Sequence, residues 1–249
     1  MAIDKRPTRV AAMFDAIAAR YDLLNRLLSA GIDRRWRRRA IHSLHLTGRE
    51  SVVDVCTGTA DVALTAAEAR PGAARVVGID FSGEMLRLGA RKVRVQGPAG
   101  RILLARGDAT RLPIRTGSAD AATVAFGIRN VEDPERGLAE MYRALAPGGR
   151  LAILEFSIPS SALVRAVYLP YFRYVLPRIG RLVSGHGSAY TYLPASVGSF
   201  IAPETMLAML ASSGFRDAQA TPLTLGIVTL YTARKQPAAG SGQRITDSR

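Results

Sequence analysis

The sequence predicts an α/β fold, in which a mostly parallel, seven-stranded sheet carries helices on both faces, with a helical cap before it and an insertion near its end. Short β-branched runs alternate with stretches of helical period from position 51 to position 155. Gly, Asp and small residues gather where each run stops, and the rhythm breaks abruptly after position 155. With 48% of its 249 residues apolar, the chain can bury a sizeable core.

Residues 10–48 are expected to form the cap. Phe14, Ile17, Leu24, Leu27 and Leu28 recur at helical spacing, and Gly31 breaks the pattern before an Arg-rich helix around Trp36. The core is expected over 50–156. Val52-Val53-Asp54-Val55 reads as a strand, followed by a Gly/Thr turn and an Ala-rich helix ending near Pro71-Gly72. A strand over 75–79 ends in Asp80, and a helix over 84–95 follows. Strands are predicted over 101–104 and 121–125, a helix over 134–145, and a strand over 151–155 after the turn Pro147-Gly148-Gly149. Right-handed crossovers then place the carboxyl ends of the parallel strands on one rim, where such sheets bind ligands.

Residues 157–200, rich in Tyr, Pro, Gly and Ser with aromatics at Tyr168, Tyr171, Phe172 and Tyr174, read as a lid inserted over that rim. Residues 201–235 return to order as a closing helix over 203–213 and a hairpin of strands 218–221 and 227–231 about Gly226. The polar tail, 236–249, is expected to be disordered. The whole chain is read as one domain.

The net charge of +14 comes mainly from Arg, and its densest cluster is Arg34, Arg35, Arg37, Arg38 and Arg39. A polyanion or an anionic bilayer surface fits such a charge, a general basic bias with no partner fits it equally, and charge alone does not choose among them. Cys56 is the single cysteine, which excludes an intramolecular disulfide and a Cys-based zinc site, and fits a reducing compartment. Asp4 precedes any apolar run and Asp15 lies within the candidate one, which argues against a secretory signal or an acid-poor transit peptide. No apolar stretch approaches the roughly 20 residues that span a bilayer. The expected location is cytoplasmic, with peripheral contact at the inner face of the membrane.

The chemistry-bearing residues lie at the predicted strand ends. Residues 54–61, D-V-C-T-G-T-A-D, place an acid at a strand end, then small residues that let backbone approach a ligand, then a helix start. The spacing is not the G-x-G-x-x-G of dinucleotide enzymes. Asp80, some twenty residues on, can accept hydrogen bonds from both hydroxyls of a ribose, as nicotinamide enzymes also arrange. Gly107-Asp108-Ala109 supplies a short acid after the third strand, Ala125-Phe126-Gly127 closes the fourth, and Leu145-Ala146-Pro147-Gly148-Gly149-Arg150-Leu151 introduces the fifth.

This ordered set resembles class I, Rossmann-like methyltransferases. The resemblance implies S-adenosyl-L-methionine as cofactor, with Gly58 and Thr59 facing its methionine and ribose part, Asp80 the ribose hydroxyls, and Asp108 and Ala109 the adenine. Ala125 would contribute at most a backbone contact. No metal is implied.

Three further segments resemble the ubiquinone/menaquinone biosynthesis C-methyltransferase family. They are Phe14-Asp15 through Tyr21-Asp22-Leu23-Leu24-Asn25 with Ser29 and Trp36, then Phe126-Gly127-Ile128-Arg129-Asn130-Val131, then Tyr142-Arg143 through Leu154-Glu155-Phe156-Ser157. Leu176-Pro177-Arg178-Ile179-Gly180 and Tyr190-Thr191-Tyr192-Leu193 add to the match. Asp33 stands where the family usually has His, Ala60 replaces the second glycine of its G-T-G-D turn, and Ala125 replaces a common Ser.

The implied reaction is ring C-methylation of a prenylated quinol, in which loss of a hydroxyl proton makes the neighbouring ring carbon nucleophilic. Arg129 is the candidate for stabilising the quinolate oxygen, with Tyr21 and His186 positioning or deprotonating the substrate. Each has another reading: Arg129 as an ion-pair partner of Asp133 or Glu132, Tyr21 as a core residue, His186 as plain loop. Asp54 is expected to organise its turn rather than touch substrate. A demethylated ubiquinone precursor also fits, but a bacterial-looking chain without a presequence favours demethylmenaquinol. A nucleic-acid methyltransferase is a first rival, yet the chain has neither an Asn/Asp-Pro-Pro-aromatic motif nor a Cys beyond the fourth strand, so no nucleic-acid partner is expected; a second, a non-catalytic module that kept the fold, is opposed by the intact cofactor acids and the lid motif.

Overall fold

The computed structural model describes residues 7–171, 174, 178 and 201–238. Helices α1 (Pro7–Leu28) and α2 (Asp33–His42) form the cap. The alternation then runs β1 (Ser51–Val55), α3 (Asp61–Glu68), β2 (Arg75–Asp80), α4 (Gly83–Gln96) and β3 (Ile102–Arg106). It continues with β4 (Ala119–Ala125), a 3-10 turn at Ile128–Asn130, α5 (Pro134–Ala144) and β5 (Leu145–Phe156). After α6 (Ala162–Pro170) come helix α7 (Pro203–Ser212) and the hairpin β6 (Arg216–Leu223) and β7 (Val228–Arg234).

The sheet order is β3-β2-β1-β4-β5-β7-β6. The first five strands in that order pair in parallel, and β7 joins β5 and β6 antiparallel. The alternation of side chains along each strand divides the core in two. Val52, Ala152, Leu154, Val228 and Leu230 pack with Trp36 and Ile41 of α2 and the Ala-rich α3. Val53, Val55, Leu151, Ile153 and Tyr231 face the other way, onto Leu138 and Met141 of α5 and Met206 and Leu210 of α7. Central strands buried on both faces account for the near-continuous apolar runs in the sequence.

Caps fix where the rim helices start. The Ser82 hydroxyl accepts from Met85 N–H at 3.1 Å to begin α4, and Asp133 accepts from Arg136 N–H at 3.0 Å to begin α5, which has Pro134 in its first turn.

Two elements depart from the expected pattern. β5 pairs with β4 earlier than position 151, because Leu145 lies against Ala119 and Arg150 against Ala121, leaving residues 146–149 to bulge out of register. The segment expected to be an irregular lid contains α6, whose apolar Leu163 and Val167 are exposed while Tyr168 is buried, so its periodicity does not mark a core face. Of that segment, 172–173, 175–177 and 179–200 lie outside the described residues, as does 239–249 of the tail. No helix among the described residues is long and apolar enough to cross a membrane.

Candidate active site

The β1–α3 turn is built around Asp54. Buried at the end of β1, its carboxylate accepts from the Thr57 hydroxyl at 2.5 Å and from the Thr123 hydroxyl of β4 at 2.7 Å. Burial pushes its carboxyl up to about 6, against the pull of those two hydroxyls. Asp54 therefore ties β4 to the turn from behind, as expected, and does not line the cleft. Ala60 adopts the left-handed conformation at φ +67°, so the residue that replaces a glycine keeps the conformation a glycine would take.

Asp80 meets this turn from β2. One carboxylate oxygen accepts from Gly58 N–H at 2.7 Å and the other from Ser82 N–H at 2.8 Å. Burial raises its proton affinity and these N–H groups oppose the rise. Asp108 accepts through one oxygen from both the N–H and the hydroxyl of Thr110, at 2.8 and 2.9 Å. Gly58, Asp80, Asp108, Ala109 and Ala125 all line one cleft at the carboxyl ends of the strands, with Cys56, Phe126, Gly127 and Asn130.

The cap closes this cleft. Val10, Ala11, Phe14 and Tyr21 of α1 form a wall, and about 100 Å³ remains, below the roughly 300–1,000 Å³ of ordinary small-molecule sites. Two carboxylates hold α1 there. Asp15 accepts from the Ser82 hydroxyl and from Glu84 N–H, at the start of α4. Asp22 accepts from the Thr59 hydroxyl at 2.6 Å and pairs with Lys92 at 2.5 Å. Lys92 also reaches Asp61 at 2.6 Å, which pairs in turn with Arg37. Thr59, expected to face the cofactor, thus gives its hydroxyl to the cap, and only its backbone neighbour Gly58 borders the cleft.

Arg129 also departs from its alternative reading, since its partner is neither Asp133 nor Glu132. Its Nη1 donates to the Glu155 carboxylate and to the Phe126 carbonyl, both at 2.6 Å, and the guanidinium lies 5.5 Å from the Phe156 ring centroid. Both charges are buried, and Arg129 Nε has no hydrogen-bond partner among the described residues. Phe126, Phe156 and Trp36 cluster behind the pair, with the Phe126 and Phe156 ring centroids 4.6 Å apart and Trp36 edge-on to Phe156, and Trp36 Nε1 donates to the Thr224 hydroxyl at 2.8 Å. The separate sequence segments around Trp36, 126–131 and 154–157 therefore converge on one cluster. The signal for Glu155 is an acid directly after the apolar run Leu151–Leu154, which in a buried strand needs a cation as partner.

Tyr21 is half-buried and packs edge-on to Phe14 with centroids 6.0 Å apart. Burial raises its phenol, while Asn25 and the charges of Arg129 and Arg37 pull the other way. Asp33, which stands in place of the family's His, is buried and pairs with Arg37 at 2.7 Å. His186 lies outside the described residues.

A sheet of this order with acids at the tips of β2 and β3 facing one cleft defines a class I, S-adenosylmethionine-dependent methyltransferase. The donor set fits the cofactor: the carboxylates of Asp80 and Asp108 keep acceptor capacity, and a side chain built on Gly58 would meet nothing, so the backbone there is open to a ligand. Solved structures share the fold. A methyltransferase from Thermotoga maritima superposes with a TM-score of 0.61 at 18% identity, covering 91% of this chain and 100% of that one. The cyclase SpnF does so at 0.60 and 20% identity, over 92% of this chain and 95% of that one, so the fold alone does not fix the reaction.

Sequence comparison narrows the class. The chain belongs to the ubiE/COQ5 methyltransferase family, which matches residues 2–235. It is 48% identical to the ubiquinone/menaquinone biosynthesis C-methyltransferase UbiE of Geobacter sp. (strain M21), over 94% of this chain and 99% of the relative. It is also 48% identical to the demethylmenaquinone methyltransferase of Thermus thermophilus, over 88% of this chain and 98% of the relative.

Proposed function

We propose that this chain methylates a ring carbon of demethylmenaquinol, giving menaquinol. The observation that carries this reading is the convergence of the cap, the 126–131 segment and Glu155-Phe156 beside the acid-lined cleft, because it joins a cofactor site to an apolar, cation-backed one. Bound S-adenosylmethionine supplies an electrophilic methyl group on a sulfonium.

The chain's own residues supply the rest. Asp80 takes the ribose hydroxyls, and Asp108 with Ala109 takes the adenine edge. Phe14, Met85 and Val131 line the cleft with apolar surface that excludes water from the transfer. Arg129, which stands behind the cleft wall rather than on it, is assigned to favour ionisation of the quinol hydroxyl through its Nε–H, which no described residue accepts. Tyr21, on the cap wall, positions the ring, and His186 is the candidate to take the proton. A prenylated substrate resides in a bilayer, so the basic cap is assigned peripheral contact with an anionic membrane at its cytoplasmic face.

A second ring is kept because relatives of equal identity carry both names. Labelled methyl transfer to short-chain demethylmenaquinol and, separately, to a short-chain demethylated ubiquinone precursor tests the choice. Faster transfer to the naphthoquinol is expected; faster transfer to the benzoquinol would reassign the substrate.

A further inference from the structure

Beyond the cleft, the cap carries a second concave surface that the transfer reaction does not use. Between α2 and α3 lies an open groove of about 800 Å³. Arg34, Arg38 and His42 stand at four-residue intervals along α2 and so line it from one helix face; Arg26 of α1 and Arg70 after α3 also line it. All five are exposed. Among the described residues none of the four arginines has an ion-pair partner, and Arg38 Nε reaches only the Arg34 carbonyl at 3.4 Å. The contrast with Arg37 is instructive: one position along, it is buried between Asp33 and Asp61 and is internally neutralised. Glu68 is the one lining acid outside that network.

Apolar side chains flank this charge. Leu23 is 59% exposed and Val95 is 78% exposed. Their place follows from helical spacing: Val95 is one turn beyond Lys92 of the Asp22–Lys92 bridge and precedes Gln96, which lines the groove. Leu23 also lies one turn before Arg26 on α1. Guanidinium groups beside protruding aliphatic side chains match a bilayer interface, where headgroup phosphates meet acyl chains. A nucleic-acid backbone would satisfy the charges but offers nothing to Leu23 and Val95.

We propose that the α2–α3 groove, with Leu23 and Val95 at its edge, is the surface by which this protein docks on an anionic phospholipid bilayer. The inference rests on the reading of a prenylated, membrane-resident substrate, and it gives that contact a defined place. The same bridge that anchors α1 over the cofactor turn borders the groove, so docking there sets the cap against the membrane from which substrate comes.

The test is cosedimentation with vesicles of phosphatidylcholine containing phosphatidylglycerol, and with vesicles of phosphatidylcholine alone. Arg34→Glu/Arg38→Glu is compared with Arg115→Glu/Arg216→Glu, which makes the same charge change on exposed arginines outside the groove. Roughly tenfold or greater loss of partitioning to anionic vesicles is expected for the groove variant, with little loss for the other. Leu23→Ser/Val95→Ser is expected to weaken binding that high salt leaves behind. Equal loss in both arginine variants, or equal binding of wild type to neutral vesicles, overturns the proposal. So does binding of a generic RNA through Arg34 and Arg38 with no vesicle binding. Methyl transfer to a short-chain, vesicle-free quinol by the groove variant shows that it is folded. Failure of the wild type in that assay would strike the substrate assignment and leave the vesicle result to judge the groove by itself.

Discussion

Arg129 of the β4–α5 connection and Glu155 at the end of β5 form a buried ion pair at 2.6 Å. The two residues are 26 positions apart, and the pair fastens the rim of β4 to that of β5 directly behind the cleft. Removing one partner of a buried pair leaves an uncompensated charge, which costs about 3–5 kcal/mol, whereas replacing both with apolar groups is close to neutral. Glu155→Gln is therefore expected to lower the melting temperature by roughly 6–20 °C. Arg129→Met/Glu155→Met should recover most of that loss in thermal unfolding while methyl transfer stays abolished. Recovery of both would make the pair purely structural.

The Asp22–Thr59 contact closes the cap over a cleft too small for its cofactor, so α1 must lift before binding. A hydrogen bond to a charged group contributes about 1.5–3 kcal/mol. Asp22→Ala is expected to speed cofactor association about tenfold in stopped-flow fluorescence, since Lys92 keeps Asp61 as a partner and the fold should survive. An unchanged association rate would show that α1 is not the gate.

Gly127 is fixed by sterics, not by backbone conformation. A Cβ there would sit 2.4 Å from Cys56 Cβ, across the gap between the β1 and β4 rims. Gly127→Ala should destabilise by about 2–3 kcal/mol through overpacking. Cys56→Gly/Gly127→Ala should restore most of it, because it removes the clashing carbon and frees a residue held at φ +54°. Denaturant midpoints of the three proteins test this. Burial and nearby carboxylates also raise the Cys56 thiol well above its ordinary range, so iodoacetamide at pH 8 should label it only after unfolding.

Asp54 and Glu50 give stability opposite pH slopes. Asp54 is raised to about 6, so the folded state binds more protons than the unfolded one between about pH 4 and 6, and its contribution falls as pH rises through that window. Burial pushes Glu50 up, but N–H and hydroxyl donors at Thr47, Gly48 and Arg49 outweigh it and lower its carboxyl to about 2. Its contribution is present above about pH 4.5 and is lost as pH falls toward 2. Asp54→Asn should therefore gain stability relative to wild type as pH rises from 4 to 7, by up to about 3 kcal/mol. A pH-independent difference in urea unfolding would contradict the assignment.

What the sequence made legible was local. The β-branched runs and the acids at their ends act through neighbouring positions, and the structure places Asp80 and Asp108 at one rim as their spacing predicts. What it hid was long-range pairing. Arg129 had candidate partners three and four residues away, but the 3-10 turn at Ile128–Asn130 aims it across to β5 instead. Thr59 looked like a cofactor contact because only the turn was visible, while its partner Asp22 lies 37 residues earlier on the cap. Leu163 and Val167 recur at helical spacing on α6 yet are exposed, so period alone does not separate a core face from a surface one.

Ring methylation is tested by supplying S-adenosylmethionine with a deuterated methyl group and reduced demethylmenaquinol, and locating the label in the product by NMR. Deuteromethyl is expected on the ring carbon beside a hydroxyl, and is expected to be lost in Asp80→Ala. Label on a quinol oxygen, label in no quinol despite cofactor binding, or full transfer by Asp80→Ala would contradict it.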